Sequence, residues 1–274
     1  MTSEFEPRRS GAPTWCMATL SRSCFADPAM ETFFGGPVTW RAEAAESLGL
    51  RDDELPAAIS PGAAFPAALR CMVDTMPSPL RTIVDVGSGV GGASEYLRRA
   101  TGATVYAVEP SELARTTARR CFPHLRQVPG EATRTGLPAG IADAVVLCGV
   151  LSLIGEPHAA LDEAARLLSP HGHLAIADLF AAGAFDRTSG PNVFRTPETV
   201  IDLCATHGLV VVAVGCGAPT PDPVWSSVAA LIDEWITREC RDRDGYDAWH
   251  RDRLHLERHI SRGDLVGGCI VVAA

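Results

Sequence analysis

The chain has no lysine: all 24 of its basic residues are arginines among 274 residues. Together with abundant alanine, glycine and proline, this bias indicates a GC-rich bacterial genome. Acidic residues number 33, so the formal net charge is -9 at pH 7. An acidic chain lacks the electrostatic footprint of a nucleic-acid-binding protein, although a local basic patch is compatible with this total. We therefore expect no nucleic-acid partner.

Long apolar runs and paired cysteines are also missing. No apolar stretch reaches the roughly 18 residues that a membrane span needs, and charged residues interrupt the N-terminal segment where a signal peptide would lie. The nine cysteines include no C-x-x-C pair, and His255 and His259 do not form the H-E-x-x-H motif, so no metal is expected. We expect a monomer or homodimer in the reducing cytoplasm, away from membranes.

Short β-rich runs alternate with amphipathic runs in the middle of the chain. Strands are predicted at Arg81–Val86, Thr104–Glu109, Leu125–Val128, Asp143–Cys148, His173–Ala177 and Leu209–Val214, and helices at Gly91–Ala100, from Ser111 to Cys121, at Glu156–Leu168 and at Pro197–His207. Alternating units of this kind specify an α/β fold, a mostly parallel sheet with helices on both faces. Ligands then bind at the carboxyl ends of the strands.

The C-terminal part departs from this alternation. Leu265–Ala273 predicts a strand after which no helix follows to complete a crossover, so it should be antiparallel and lie between strands five and six of a seven-stranded sheet. The long insertion before it has helical periodicity over Ser226–Arg241 and Tyr246–Ile260. We predict an N-terminal helical cap over 1–80, a core over 81–220, a helical substrate lid over 221–262 and a final core strand over 263–274.

A glycine loop follows the first strand in the segment Val84–Gly92, which reads VDVGSGVGG. Glycines there let the backbone turn tightly and approach a ligand closely. The loop alone is ambiguous, because Gly87, Gly89 and Gly92 also satisfy the dinucleotide-binding pattern.

Two carboxylates lie where they could bind a cofactor, and the first of them favours one kind of cofactor over the other. Asp85 stands two residues before Gly87, where it would crowd a pyrophosphate but suit a cationic ammonium group. Glu109 ends the second strand, where a carboxylate can accept both hydroxyls of a ribose. About 80 residues precede the loop, whereas dinucleotide-binding folds often begin near it.

With these residues, further segments occur in a characteristic order: Gly130–Ala132, Leu137–Pro138, Ala142–Leu147 and Arg166–Gly172. The chain thus resembles the class I S-adenosylmethionine-dependent methyltransferases, in particular the group of ubiquinone, menaquinone and small-molecule tailoring enzymes. The resemblance covers roughly residues 65–215. It implies a Rossmann-like fold, S-adenosylmethionine as cofactor, S-adenosylhomocysteine as product and a small-molecule acceptor.

The resemblance also implies roles for individual residues. Asp85, Gly87, Ser88, Gly89 and Gly91 would hold the methionine part of the cofactor. Glu109 would bind the ribose, Pro110 would pack near the adenine, and Glu131 and the Ala132 backbone would read the adenine edge. Cys148 and Gly149 would lie beside the sulfonium and the acceptor.

The chain departs from the family pattern at several positions. Glu131 stands in place of the usual aspartate, and Ala142 in place of an aromatic residue. Ser152 and Leu153 occupy the stretch where many relatives carry histidine. A hydroxyl acceptor usually needs a base whereas an unprotonated amine does not, so nitrogen is slightly favoured over oxygen as the methylated atom.

The insertion supplies the candidates for acceptor binding. Three of the five tryptophans fall there, and aromatic side chains can wall a flat or apolar substrate. We expect the predicted lid to meet the N-terminal segment and the acceptor to contact Trp15, Phe33, Phe34, Trp225, Tyr246 and Trp249. His250 is the candidate general base. Core packing is the alternative role for each of the aromatic residues.

Two other functions stay open at this point. One is an NAD(P)-dependent oxidoreductase, which the glycine loop and Glu109 also allow. The other is a non-catalytic protein with a degenerate methyltransferase fold. The arginine-rich composition and the resemblance together favour a tailoring step on a bacterial secondary metabolite, such as an antibiotic.

Overall fold

The computed structural model describes residues 28–60, 65–182, 188–189, 192–216 and 222–274. Trp15 lies outside these residues, and so do the side chains of Phe33 and Phe34. Within the described part, no helix combines the length and the apolar character that crossing a membrane requires.

One seven-stranded sheet forms the centre of the fold. Its strands are β1 (Thr82–Val86), β2 (Thr104–Glu109), β3 (Arg126–Pro129), β4 (Ala142–Cys148), β5 (Leu168–Ala181), β6 (Val210–Cys216) and β7 (Leu265–Ala273). They lie in the order β3-β2-β1-β4-β5-β7-β6. β7 is antiparallel to both of its neighbours, β5 and β6. The prediction that the last strand would lie antiparallel between strands five and six is therefore confirmed.

Helices cover both faces of the sheet. They are α1 (Pro28–Ser47), α2 (Leu55–Ile59), α3 (Pro66–Thr75), α4 (Gly92–Thr101), α5 (Glu112–Cys121), α6 (His158–Leu167), α7 (Pro197–Thr206), α8 (Pro223–Glu239) and α9 (Tyr246–Arg262). Alternate residues of a strand point to opposite faces. Accordingly, Ile83 packs with α3, α4 and α5, whereas Val84 packs with α6 and α7.

Local sequence signals explain where two of the helices begin. The Ser111 hydroxyl accepts a hydrogen bond from the backbone N–H of Ala114, as the sequence predicts. Thr196 caps α7 in the same way through the N–H of Thr199. Both caps follow strands, so they orient helices whose N-termini face the ligand-binding edge of the sheet.

The start of β5 differs from its prediction. The strand was predicted to begin at His173, but β5 begins at Leu168 and includes His171 as well. His171 adopts φ +69°, in the left-handed region, and His173 pairs with Ala144 and Ala273. The register of β4 and β5 shifts between Ala142 and Ala144, and this irregularity lets the strand continue through the polar segment.

The insertion between β6 and β7 forms two helices, α8 and α9, near the predicted positions. Their apolar side chains join those of α1 and α2 in one cluster on the α4 side of the sheet. The Trp235 indole donates a hydrogen bond to the Ser47 hydroxyl at 3.1 Å, which joins α8 to the end of α1. The inserted helices thus extend a layer that the N-terminal helices begin.

Candidate active site

A cleft of about 90 Å³ opens at the carboxyl ends of β1 and β4. Its lining includes most of the glycine loop, part of α4 and the end of α2. The residues are Ile59, Ser60, Asp85, Gly87, Ser88, Gly89, Val90, Gly92, Ala93 and Cys148. Five of them, Asp85, Gly87, Ser88, Gly89 and Cys148, are positions that the sequence assigns to the cofactor.

The glycine loop needs its glycines for two physical reasons. Gly87, Gly89 and Gly91 all have positive φ values, a region that other residues enter only with strain. A Cβ atom on Gly87 would also lie only 2.5 Å from a methyl group of Val150. The backbone N–H groups of Gly87 and Ser88 both donate to the Val108 carbonyl, so the loop is tied to the end of β2.

Asp85 is a buried carboxylate, and one of its two oxygens has no hydrogen-bond partner among the described residues. It is 1% exposed, and its Oδ2 accepts a hydrogen bond from the Ser94 hydroxyl at 2.5 Å. Oδ1 is buried and has no partner among the described residues. Burial raises the pKa of Asp85 to about 6; the Ser94 hydrogen bond opposes this shift, and the negative charge of Glu109 adds to it. A cation at Oδ1 would compensate the buried charge.

Glu109 connects the end of β2 to the glycine loop. Its two carboxylate oxygens accept the backbone N–H groups of Gly89 and Ser111, each at 2.9 Å. Burial raises the pKa of Glu109, and these two hydrogen bonds oppose the shift. A carboxylate has about four acceptor positions, so Glu109 can still accept hydroxyl groups from a ligand.

Two hydroxyl groups accompany Asp85 in the cleft. Ser60 Oγ and Ser88 Oγ are both buried without a hydrogen-bond partner among the described residues. Buried polar groups are nearly always paired, so unpaired ones in a cleft indicate a polar ligand. An α-amino acid group suits this set, because its ammonium needs the carboxylate and its carboxylate needs the hydroxyl donors. The residues present therefore fit the methionine end of S-adenosylmethionine. Ser60 carried no motif that identified it in the sequence.

The expected adenine side lies after β3. Glu131 and Arg134 exchange backbone hydrogen bonds in a tight turn. A Cβ on Gly130 would lie 2.7 Å from the Thr135 carbonyl, so only glycine permits this approach. Glu131 and Ala132 are half-buried, and Pro110 is half-buried at the end of β2. These observations do not test the predicted contacts of these residues with adenine, so those roles stay a proposal.

The segment after β4 is held rigidly from both sides. Asp178, on β5, accepts the backbone N–H of Ser152 at 2.9 Å and a hydrogen bond from its hydroxyl. Arg195 donates to the carbonyls of Leu151, Ile154 and Gly155. The polar groups of Ser152 are thus bonded to Asp178. Sequence reasoning missed Asp178 and Arg195, because their partners are distant in the chain.

Cys148 ends β4 and lines the cleft, next to Gly149, which has φ +69°. Burial raises the pKa of the Cys148 thiol well above its ordinary value, and the nearby carboxylates of Asp85 and Asp178 add to the shift. Cys148 is therefore a neutral thiol at physiological pH and neither a base nor a thiolate nucleophile.

The aromatic residues of the insertion pack mainly on one another and on the helical layer. Tyr246 is 4% exposed and stacks on His250 with ring centroids 5.4 Å apart. Trp249 meets Trp40 of α1 edge to face at 6.0 Å, and Trp225 meets Tyr96 of α4 at 6.0 Å. His250 and these aromatic residues are not among the described residues that line the cleft. Their contact with an acceptor stays a prediction.

The two histidines at helical spacing on α9 lie against each other and beside a carboxylate. His255 and His259 lie with ring centroids 4.4 Å apart, and His259 Nδ1 is 2.8 Å from Asp264 Oδ2. Among the residues that the structure describes, no group of three or more histidine, cysteine or carboxylate side chains could hold a metal ion.

Comparison with known proteins indicates the same cofactor as the residues of the cleft. Residues 84–176, which contain the glycine loop, β2 and β4, match a family model described as a methyltransferase domain. Among solved structures, phosphoethanolamine N-methyltransferase 2 of Haemonchus contortus, in complex with S-adenosyl-L-methionine, is similar with a TM-score of 0.60 at 16% identity. That match covers 87% of this chain and 60% of the other.

Two further solved structures differ in what they act on. Geranyl diphosphate C-methyltransferase from Streptomyces coelicolor A3(2) has a TM-score of 0.55 at 16% identity, covering 76% of each chain. The [4+2]-cyclase SpnF has a TM-score of 0.61 at 16% identity, covering 75% of this chain and 78% of that one. Similarity at this identity shows the fold alone, and the family match adds the chemistry. The chain is therefore an S-adenosylmethionine-dependent methyltransferase with the class I fold.

Proposed function

We propose that this enzyme transfers the methyl group of S-adenosylmethionine to a nitrogen of a small secondary metabolite in the bacterial cytoplasm. Oxygen is the alternative target atom. The observation that carries the preference for nitrogen is the Ser152–Asp178 pair, because Ser152 lies in the stretch where many relatives carry histidine and commits its polar groups to fixing the loop.

The other titratable groups near the reacting centre do not replace that base. Of the described residues that line the cleft, Asp85 and Cys148 are the ones with a titratable side chain. In this proposal Asp85 binds the ammonium group of the cofactor, and the pKa of Cys148 is too high for a thiolate. An amine can attack with its own lone pair once it is unprotonated, whereas a hydroxyl usually loses its proton to a base.

The roles of the residues follow from the geometry of the cleft. When bound, S-adenosylmethionine supplies an electrophilic methyl group on a cationic sulfonium. Asp85 and the glycine loop hold its amino-acid end, and Glu109 accepts its ribose hydroxyls. Pro110, Glu131 and Ala132 enclose the adenine, while Cys148 and Gly149 form the wall beside the sulfonium. Alignment and exclusion of water then provide much of the rate acceleration.

The acceptor would enter from the side of the helical layer. We propose that α8 and α9 act as a lid and that Trp225, Trp249 and His250 are the residues nearest to the acceptor. A small molecule rather than a nucleic acid is favoured by the net charge of -9. The free cysteines among the described residues suit a reducing compartment.

The test is an assay with radiolabelled S-adenosylmethionine and a matched panel of small amines, alcohols and phenols. We expect label in amine products, with a rate that rises with pH through the pKa of each amine. Label only in alcohols or phenols would reverse the choice of atom. A chain that shows no thermal shift with S-adenosylhomocysteine but responds to NAD would overturn the proposal altogether.

A further inference from the structure

One route from the cofactor cleft to the inserted helices passes through α2. Ser60, at the end of α2, is 8% exposed and lines the cleft. A Cβ atom on Gly92 would lie only 2.3 Å from Ser60 Oγ, so this hydroxyl rests directly on the first residue of α4. The N–H of Ser60 donates to the Pro56 carbonyl, so the position of Ser60 depends on the position of the whole short helix.

A buried arginine on α1 holds α2 in place. Arg41 Nε donates to the Ala58 carbonyl at 2.7 Å, and its Nη1 donates to Asp233 Oδ1 on α8 at 3.1 Å. The Arg41 side chain is only 11% exposed. Burial lowers the pKa of Arg41 and the charge of Asp233 opposes this shift. A buried guanidinium needs such a partner, so removing the charge of Asp233 would disturb the hydrogen bond from Arg41 to the Ala58 carbonyl of α2.

The same carboxylate reaches the second inserted helix. Asp233 Oδ2 lies 3.5 Å from Arg253 Nη1 on α9, and the Arg253 guanidinium lies 5.4 Å from the centre of the Trp249 ring. Ser60, Ala58, Arg41 and Asp233 therefore form a continuous connection from the glycine loop to the insertion. Ser60 contacts the glycine loop at Gly92, and each link from Ser60 to Asp233 is a hydrogen bond or a peptide segment of α2.

Resting on the function proposed above, we propose that the Ser60 hydroxyl donates to the carboxylate of the bound cofactor and that Arg41 and Asp233 are positioning residues that set it there. The insertion then takes part in cofactor binding as well as in covering the acceptor. A helix that follows the matched methyltransferase domain by many residues would thus determine part of the affinity for S-adenosylmethionine.

The experiment is a double-mutant cycle on the whole chain, with S-adenosylhomocysteine titrated by calorimetry. We expect Ser60→Ala to weaken binding about tenfold, the loss of one hydrogen bond to a charged group. Asp233→Asn should weaken it about three- to tenfold. Because Asp233 acts through Ser60, the double variant should bind within about twofold of Ser60→Ala rather than with the product of the two effects.

Glu43→Gln is the matched control. Arg243 donates a hydrogen bond to Glu43 at 2.5 Å and so also joins α1 to the insertion, without a hydrogen bond to the described residues of α2. We expect its affinity to stay within about twofold of the wild type. Unchanged affinity in Ser60→Ala, or fully multiplicative losses in the double variant, would overturn the inference. Wild-type chain that does not bind S-adenosylhomocysteine would instead overturn the proposed function, so the two failures are distinguishable.

Discussion

Glu109 accepts the backbone N–H of Gly89 at 2.9 Å, so the carboxylate that ends β2 also fixes the glycine loop that follows β1. Its second oxygen fixes Ser111, the cap of α5. One side chain of the protein therefore joins the two segments that are proposed to bind the cofactor. Such preorganisation lowers the cost of ordering the loop when the cofactor binds.

We predict that Glu109→Ala weakens binding of S-adenosylhomocysteine by about 1–3 kcal/mol, because the ribose hydroxyls lose a charged acceptor. Calorimetry on the purified variant measures this directly. Glu198→Ala, which removes an exposed carboxylate at the start of α7, should leave the affinity unchanged. Equal affinities for wild type and Glu109→Ala would refute the assignment of Glu109 to the ribose.

Two positions of the glycine loop allow backbone strain to be compared with steric overlap of a side chain. A Cβ on Gly89, at φ +56°, meets no described atom within 4 Å, whereas a Cβ on Gly87, at φ +73°, meets Val150 at 2.5 Å. We predict that Gly89→Ala lowers the free energy of unfolding by about 1–2 kcal/mol through backbone strain alone. Gly87→Ala should lose about 1–3 kcal/mol more through overpacking.

Urea denaturation measures both losses. Adding Val150→Ala to Gly87→Ala should recover part of the extra loss, because it removes the colliding methyl groups. Adding the same change to Gly89→Ala should recover nothing. Equal losses in the two glycine variants, or no recovery, would mean that the loop relaxes around the added methyl group.

The strands of the sheet could be predicted because alternating hydrophobic runs are local signals. The last strand lies where it was predicted, antiparallel between β5 and β6, and Ser111 was recognisable as a cap. The cofactor side of the cleft could likewise be predicted from the sequence, since Asp85 and Gly87 lie in one continuous motif.

The residues on the other side of the cleft could not be predicted from the sequence. Ser60 reaches the glycine loop only because α2 packs across α4, and no spacing rule connects two such distant segments. Asp178 looks like an ordinary strand-end carboxylate until the fold brings Ser152 to it. For Trp249, periodicity predicts one face of a helix but does not determine that this face meets Trp40 of α1.

The aromatic contacts of α9 lead to a prediction that separates packing from catalysis. Trp249→Ala should lower the free energy of unfolding by about 2–4 kcal/mol, because the indole packs on Trp40 and under Arg253. His250→Ala should leave kcat for an amine acceptor from the panel within about threefold. A loss of about 100-fold or more for His250→Ala would identify a general base and favour a hydroxyl acceptor.

The last prediction concerns Asp85 and pH. Burial raises its pKa to about 6 in the folded apo protein, whereas an aspartate in an unfolded chain titrates near 4. The folded state therefore holds the proton more tightly. The stability that this provides is complete below pH ~4 and is lost as pH rises through about 6. The shift of about two units corresponds to on the order of 2–3 kcal/mol of cost at pH 8.

Cofactor binding should depend on pH in the opposite direction. Only ionised Asp85 can compensate the ammonium group of S-adenosylhomocysteine, which stays charged between pH 5 and 8. We expect the affinity to level off above pH ~6.5 and to fall, approaching tenfold per pH unit, well below 6. Asp85→Asn should bind weakly with no such dependence. Asp178, whose pKa burial also raises to about 6, provides the control, because Asp178→Asn should keep the pH dependence of binding. If Asp178→Asn removes it and Asp85→Asn does not, the ammonium group is bound elsewhere.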